Sequence, residues 1–338
     1  MKLSATAPAK VILIGEHAVN RGATALAVGV GLYATVALTV LGAPLITLAG
    51  GGHSARTTRD EVLALGERVD SWRAREEYTA IQALAAQDFF APTKYVLAAL
   101  GEDLPEALGV RITSAIPASA GLGSGGACFA GLAAALAELT GQGGDTRAVA
   151  GWAQRGDIVA HGGVASGLDT QTSLYGGAIR YTAARQGEPT PLGPGLCLVI
   201  GNTGVFAATA DVNGRVRRWL AEQPARAHHF QEIGLLARYA EAALRDGNWP
   251  ELGRLMNLNQ LILEKIGVSC PELERLIDAA LGAGALGAKL SGSGGGGIMV
   301  ALVTPETARP VARAVEAAGG TAIAAPVGVP GAAVRAEA

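Results

Sequence analysis

The stretch PASAGLGSGGA, residues 117–127, decides how the rest of the chain is read. It follows the alternating segment LGVRITSAIP (108–117) and runs into ACFAGLAAALAELTG (127–141), which is Ala/Leu-rich with apolar residues at helical spacing and a terminal Gly. The order predicted is strand, loop with four glycines, helix. Such a loop can turn several backbone N–H groups toward one point, and the positive end of the helix dipole adds to them, so an anion, typically a phosphate, is favoured there. The competing reading is a tight turn that only lets helix pack on strand. Gly121, Gly123 and Gly126 also satisfy G-x-G-x-x-G, but PASA intervenes between the strand and the first Gly. A helix and GQGGD then stand where a dinucleotide fingerprint needs a second strand ending in an acid. No G-x-x-x-x-G-K-[ST] occurs, and Lys289 sits in G-A-K, so the common nucleotide P-loop is excluded.

Working outward, two further polar knots interrupt otherwise bland sequence. AKVILIGEHAVNRG (9–22) carries Lys10, Glu16 and His17. The chain uses 22 Arg against 5 Lys, so a Lys is the exception, and Lys10 on an entry strand points to a need for a compact ammonium; a solvated strand-edge Lys is the bland alternative. In HGGVASGLDTQTSLYGG (161–177), Asp169 lies among uncharged residues from 162 to 178 and is either a turn former or a functional carboxylate. A third segment, KLSGSGGGG (289–297), precedes the strand IMVALV and could present backbone amides to a phosphate or a substrate, or be a flexible turn.

The length, 338 residues, suits two domains. Residues 59–100, 127–141, 146–162 and several stretches in 206–284 read as helices. GLDTQTSLYGGAIRYT (167–182) alternates as a strand or hairpin, ARQGEPTPLGPG (184–195) is the candidate linker, and the chain ends in a strand pair. Strands and helices mix without strict alternation, so α+β is expected rather than a doubly wound sheet, and no fixed-period repeat is visible. Aromatics at 4% and a formal net charge of -2 argue against nucleic acid as a partner. Residues 22–52 and 113–137 carry no charge, but glycines and prolines interrupt both, so no membrane span is expected. The N-terminal MKLSATAPAK has no secretory pattern, and Cys128, Cys197 and Cys270 show neither pairing nor metal-ligand spacing, which together suggest a cytoplasmic chain. The sequence leaves room for a homodimer.

PASAGLGSGGA, GLDTQTSLYGG and KLSGSGGGG, in this order and spacing, resemble the phosphate loop, the catalytic-Asp segment and the third motif of the GHMP kinases, over nearly the whole chain. The resemblance implies an α+β, two-domain architecture: residues 1–186 as an N-terminal domain like the second domain of ribosomal protein S5, residues 187–338 as a ferredoxin-like domain, and ATP bound between them. It further implies Asp169 as the base that takes the acceptor hydroxyl's proton, with Lys10 beside it. Pro117, Gly121, Leu122, Gly123, Ser124, Gly125 and Gly126 would cradle the triphosphate. Glu16, His17, Ser291, Gly292 and Gly294 would bind the acceptor. Two departures bear on Mg2+. Gly125 stands where the family loop (GLGSSAA) has a metal-reaching Ser, and Asp157 is the counterpart of a family Glu, so Asp157 and Ser124 are the expected metal-side residues. ILIGEHAV and LGRLMNLNQLILEKIGVSCPEL (252–273) are most similar to the mevalonate-phosphorylating branch, so mevalonate is the expected acceptor. A phosphomevalonate, homoserine or sugar kinase, or a non-catalytic ligand-binding relative, is the alternative.

Overall fold

The computed structural model describes residues 1–117 and 120–337; Ala118 and Ser119 of the Gly-rich loop lie outside the described residues. The chain opens with β1 (Lys2–Ile14) and β2 (Ala25–Val40), then β3 (Ile46–Gly50), β4 (His53–Thr57), α1 (Arg59–Ala74), α2 (Tyr78–Gln87), α3 (Ala91–Leu97) and β5 (Leu108–Ser114). The helices α4 (Ser124–Leu139), α5 (Thr146–Ala160) and α6 (Leu168–Tyr175) follow, then β6 (Ala178–Thr182), β7 (Gln186–Thr190) and β8 (Leu198–Asn202). Next come α7 (Thr209–Glu222), α8 (His228–Asp246), α9 (Trp249–Ile266) and α10 (Pro271–Gly282). The chain closes with β9 (Gly287–Ser291), β10 (Ile298–Leu302), α11 (Pro305–Ala317), β11 (Thr321–Ile323) and β12 (Ala333–Glu337).

Two sheets result. The first runs β12-β1-β2-β5-β3-β4, with β6 pairing β2 and β7. The second, β11-β8-β10-β9, takes its strands in the order fourth, first, third, second along the chain and is antiparallel throughout. With helices between its first and second and its third and fourth strands, it is the ferredoxin-like arrangement expected. A single apolar cluster reaches from Ala7, Ala9 and Val11 of β1 to Leu290 and Val300 of the second sheet, so the two layers share a core.

β1 records this arrangement in its burial. Residues 2–6 alternate between solvent and core, whereas residues 7–14 are buried on both faces. One face of β1 and β2 takes α4, whose Ala127, Ala130 and Gly131 permit close approach. A Cβ on Gly131 would touch Val36 at 3.3 Å and Ala7 at 3.7 Å, so even one methyl presses into the sheet. Lys10 therefore sits in the doubly buried half of β1.

Three expectations change. The 167–175 stretch is helix, not strand, because Gly167 at φ 86° starts a turn and the buried threonines of LDTQTSLY bond to their own backbone. The hydroxyls of Thr170 and Thr172 donate to the carbonyls of Gly167 (3.1 Å) and Leu168 (2.7 Å). Its polar–apolar alternation thus does not report an exposed and a buried face. The 184–195 linker contains β7, and the division expected at 186/187 coincides with the first residue of that strand, which pairs with β6. The final strands do not pair with each other: β11 joins β8, while β12 returns to the first sheet and sets Glu337 opposite Lys2.

Candidate active site

A cleft of about 610 Å³ opens where β1, the loop before α4, the start of α6 and the β9–β10 loop converge, a size ordinary for a small-molecule site. It is lined by all the loop residues singled out above (Pro117 and Gly121 to Gly126) and by Lys10, Glu16, His17, Asp157 and Asp169. Ser291, Gly292 and Gly294 complete the wall.

At its centre Lys10, 2% exposed, places Nζ 3.1 Å from Oδ1 of Asp169, which is 27% exposed. The same ammonium donates to the carbonyl of Gly121 at 3.2 Å, and the backbone N–H of Lys10 donates to the carbonyl of Leu122 at 2.9 Å. Loop, strand and carboxylate are thus one assembly, and an ammonium with three donors keeps one for a ligand.

The glycines do more than face an anion. A Cβ on Gly123 would lie 2.9 Å from both Cγ and Cε of Lys10, one on Gly126 2.9 Å from Cβ of Asp169, and one on Gly121 3.0 Å from the Ser291 carbonyl. Gly123, at φ 72°, also starts α4 in the left-handed region without a side-chain cap, which leaves the first N–H groups of a 16-residue helix facing the cleft. Gly125 differs: its Cβ would meet only the Phe129 ring at 3.5 Å, an ordinary contact. Of the two readings made from the sequence, the close packing is what these contacts show.

On the far wall, Glu16 and Lys289 form a wholly buried ion pair between the β1–β2 turn and β9. Burial pushes the Glu16 carboxyl up and the Lys289 ammonium down, and their mutual attraction opposes both. Among the described residues, Oε2 of Glu16 has no hydrogen-bond partner. His17, held at φ 61°, is lowered to about 4 by burial, so its ring is neutral and Nε2 donates to the Ser293 carbonyl at 2.8 Å. The Ser291 hydroxyl is committed to β1: it accepts from the N–H of Ile12 (2.9 Å) and donates to the Ile12 carbonyl (3.2 Å). It ties the two layers together and does not present its hydroxyl freely to an acceptor.

The expected metal side is made of hard oxygens. Asp157, buried on α5, has Oδ1 3.2 Å from Nδ1 of His161, and Oγ of Ser124 lies 3.2 Å from Oγ of Ser114. The Asp157 carboxylate holds the His161 imidazolium up to about 10. His161 and Lys289 were not singled out by the sequence reading as site residues, and neither was Phe206, which stands exposed in the cleft wall. The scarcity of Lys that drew attention to Lys10 applies equally to Lys289.

Comparison with known proteins identifies the relatives of this chain. Residues 90–177 match the family model described as GHMP kinases N terminal domain, and residues 240–321 the one described as GHMP kinases C terminal. A mevalonate kinase of Pyrococcus furiosus is 34% identical over 333 residues, covering 95% of each chain. One from Aeropyrum pernix is 33% identical over 306 residues, 88% of this chain and 87% of that one. The crystal structure of L. major mevalonate kinase in complex with R-mevalonate superposes with a TM-score of 0.71 at 29% identity, over 92% of this chain and 90% of that one. The Methanococcus jannaschii mevalonate kinase, at 23% identity over 95% and 96% of the two chains, shares the fold with a TM-score of 0.77. With its two family domains matched and full-length relatives above 30% identity, this chain belongs to the GHMP kinase family.

Proposed function

We propose that this kinase transfers the γ-phosphoryl group of ATP to the primary hydroxyl of mevalonate, giving 5-phosphomevalonate. The observation that carries the reading is the Lys10–Asp169 pair, 3.1 Å apart, directly under the loop whose helix N-terminus faces the cleft. Phosphoryl transfer is mainly positioning and charge stabilisation. The α4 N–H groups and the Gly-rich loop hold the phosphates. Asp169 accepts the proton of the attacking hydroxyl, and Lys10, 3.1 Å away, orients that carboxylate while its remaining N–H meets charge developing on the transferred group. Glu16 and His17 border the acceptor end: the unprotonated Nδ1 of the neutral His17 ring is free to accept from a hydroxyl, while the Glu16 carboxylate stays sealed in its pair with Lys289. The small acceptor follows the full-length mevalonate kinase relatives.

Mg2+ fits the donors present, since it takes one or two protein oxygens and completes its shell with phosphate and water. Asp157 and Ser124 would hold it, and it would neutralise charge on the β- and γ-phosphates. Gly125 contributes no oxygen.

An ATP-coupled assay over mevalonate, 5-phosphomevalonate, homoserine and galactose tests the reading. Turnover of mevalonate far above the others is expected. Turnover of another acceptor with none of mevalonate overturns the acceptor alone, whereas ATP turnover with none of the four overturns the reaction.

A further inference from the structure

Lys289 is one of 5 lysines in the chain, its side chain has no exposed surface, and it does not line the cleft. A wholly buried ion pair is expensive in desolvation and is weak evidence for stability, so its presence calls for another reason. On β9, Lys289 and Ser291 stand two residues apart and face the same side, toward the first sheet. Ser291 takes both backbone groups of Ile12. Lys289 takes Oε1 of Glu16 and also donates to the Leu290 carbonyl. Ile12 itself is two residues from Lys10 on the same strand.

The edge of β9 is fixed from outside as well. On α9, Oδ1 of Asn257 accepts from the N–H of Ala288 at 2.9 Å and Oε1 of Gln260 from that of Leu290 at 3.0 Å, which closes an otherwise open sheet edge. Lys289 therefore projects from a strand held on both sides. Four charges then alternate through the site: Asp169, Lys10, Glu16, Lys289. Glu16 lies within electrostatic reach of both lysines, and the two lysines of each other. If Lys289 were absent, Lys10 would remain, among the described residues, as the cation whose charge reaches the Glu16 carboxylate, and it would be drawn away from Asp169.

We propose that Lys289 is a positioning residue for phosphoryl transfer: by occupying Oε1 of Glu16 it keeps that carboxylate off Lys10, so that the Lys10 ammonium stays on Asp169 and on the transferred group. The inference rests on the kinase reading above and extends it to a residue that touches neither substrate.

The test uses Lys289→Met alone and combined with Glu16→Gln, assayed well below each variant's unfolding midpoint. For Lys289→Met, kcat is expected to fall by about tenfold or more while KM for ATP moves by less than about threefold. Adding Glu16→Gln removes the competing carboxylate, so kcat should climb back to within about fivefold of wild type. A purely structural pair would lower the midpoint and leave kcat of the folded fraction unchanged. Unchanged kcat in folded Lys289→Met overturns the proposal, as does a double variant that folds but stays more than about tenfold slow. Should Lys289→Met not fold, the double variant, which buries no lone charge, decides by the same limits. Absence of turnover in the wild-type protein removes the kinase reading and this inference with it.

Discussion

Two lysine–carboxylate pairs stand a few residues apart around the end of β1, and they are built on opposite terms. Lys10 meets an Asp169 that keeps 27% of its side chain exposed, whereas Lys289 meets a Glu16 with none. The open pair can exchange a proton and a ligand with the cleft. The sealed pair can do neither, and what it fixes is the relation between the two sheets and the freedom of Glu16. One charged pair works by staying reachable and the other by being unreachable, which is why removing a charge should have different consequences at each.

The sharpest way to break the contrast is Asp169→Asn. It keeps shape and removes the proton acceptor, so kcat should fall by roughly 10²- to 10⁴-fold with KM for ATP little changed, as a general base requires. If steady-state kinetics show a loss below about threefold, the open pair is not catalytic.

A second substitution separates loop from base. Gly123→Ala adds a Cβ 2.9 Å from two carbons of Lys10, at φ 72°, while Gly125→Ala adds one in ordinary contact with the Phe129 ring at 3.5 Å. The first should cost about 1–2 kcal/mol of stability for the left-handed residue and at least about tenfold in kcat as Lys10 shifts. The second should stay within about 0.5 kcal/mol of wild type in denaturant unfolding. Equal behaviour of the two variants would mean that Lys10 is not held by the loop.

A third pair, Asp157 with His161, lies between the two extremes, since Asp157 is buried and His161 is about a third exposed. Asp157→Asn should raise the Mg2+ concentration for half-maximal rate several-fold, on the order expected for losing one of few oxygen ligands. A wild-type Mg2+ dependence would place the ligand elsewhere.

The smallest effect is on stability against pH. The folded pKa of His161, about 10, exceeds its ordinary 6.5, so its contribution is fully present below about pH 6.5 and is lost as pH rises toward 10. Urea midpoints of wild type and His161→Gln should therefore differ more at pH 6 than at pH 10, and a gap independent of pH would remove the ion pair.

What could be read in the sequence divides along physical lines. The Gly-rich loop, Asp169 and the β9–β10 loop were legible because glycines and an isolated acid punctuate apolar sequence. The helix carrying Asp169 was not, since buried threonines that bond to their own backbone imitate the period of a strand. Nor was Lys289. Its partner lies 273 residues away in sequence, and a separation of that size leaves no local mark beyond the rarity of lysine. The role of Gly123 and Gly126 as clearance for Lys10 and Asp169 needed the contacts themselves.

The return of β12 to the side of β1 has a bearing on time. Residues 333–337 cover the outer edge of the strand that carries Lys10, and Gly31 and Gly29 of β2 already bond to Pro326 and Gly328 on the way back. A ribosome emits β1 first and β12 last, so that edge waits through the synthesis of more than 300 residues for its partner. During that interval the strand is an unpaired template open to wrong neighbours, and its protection falls to the helix packed on its face and to whatever attends the nascent chain. Maturation of the cleft in this sense trails far behind the synthesis of β1 and is completed when β12 closes on it.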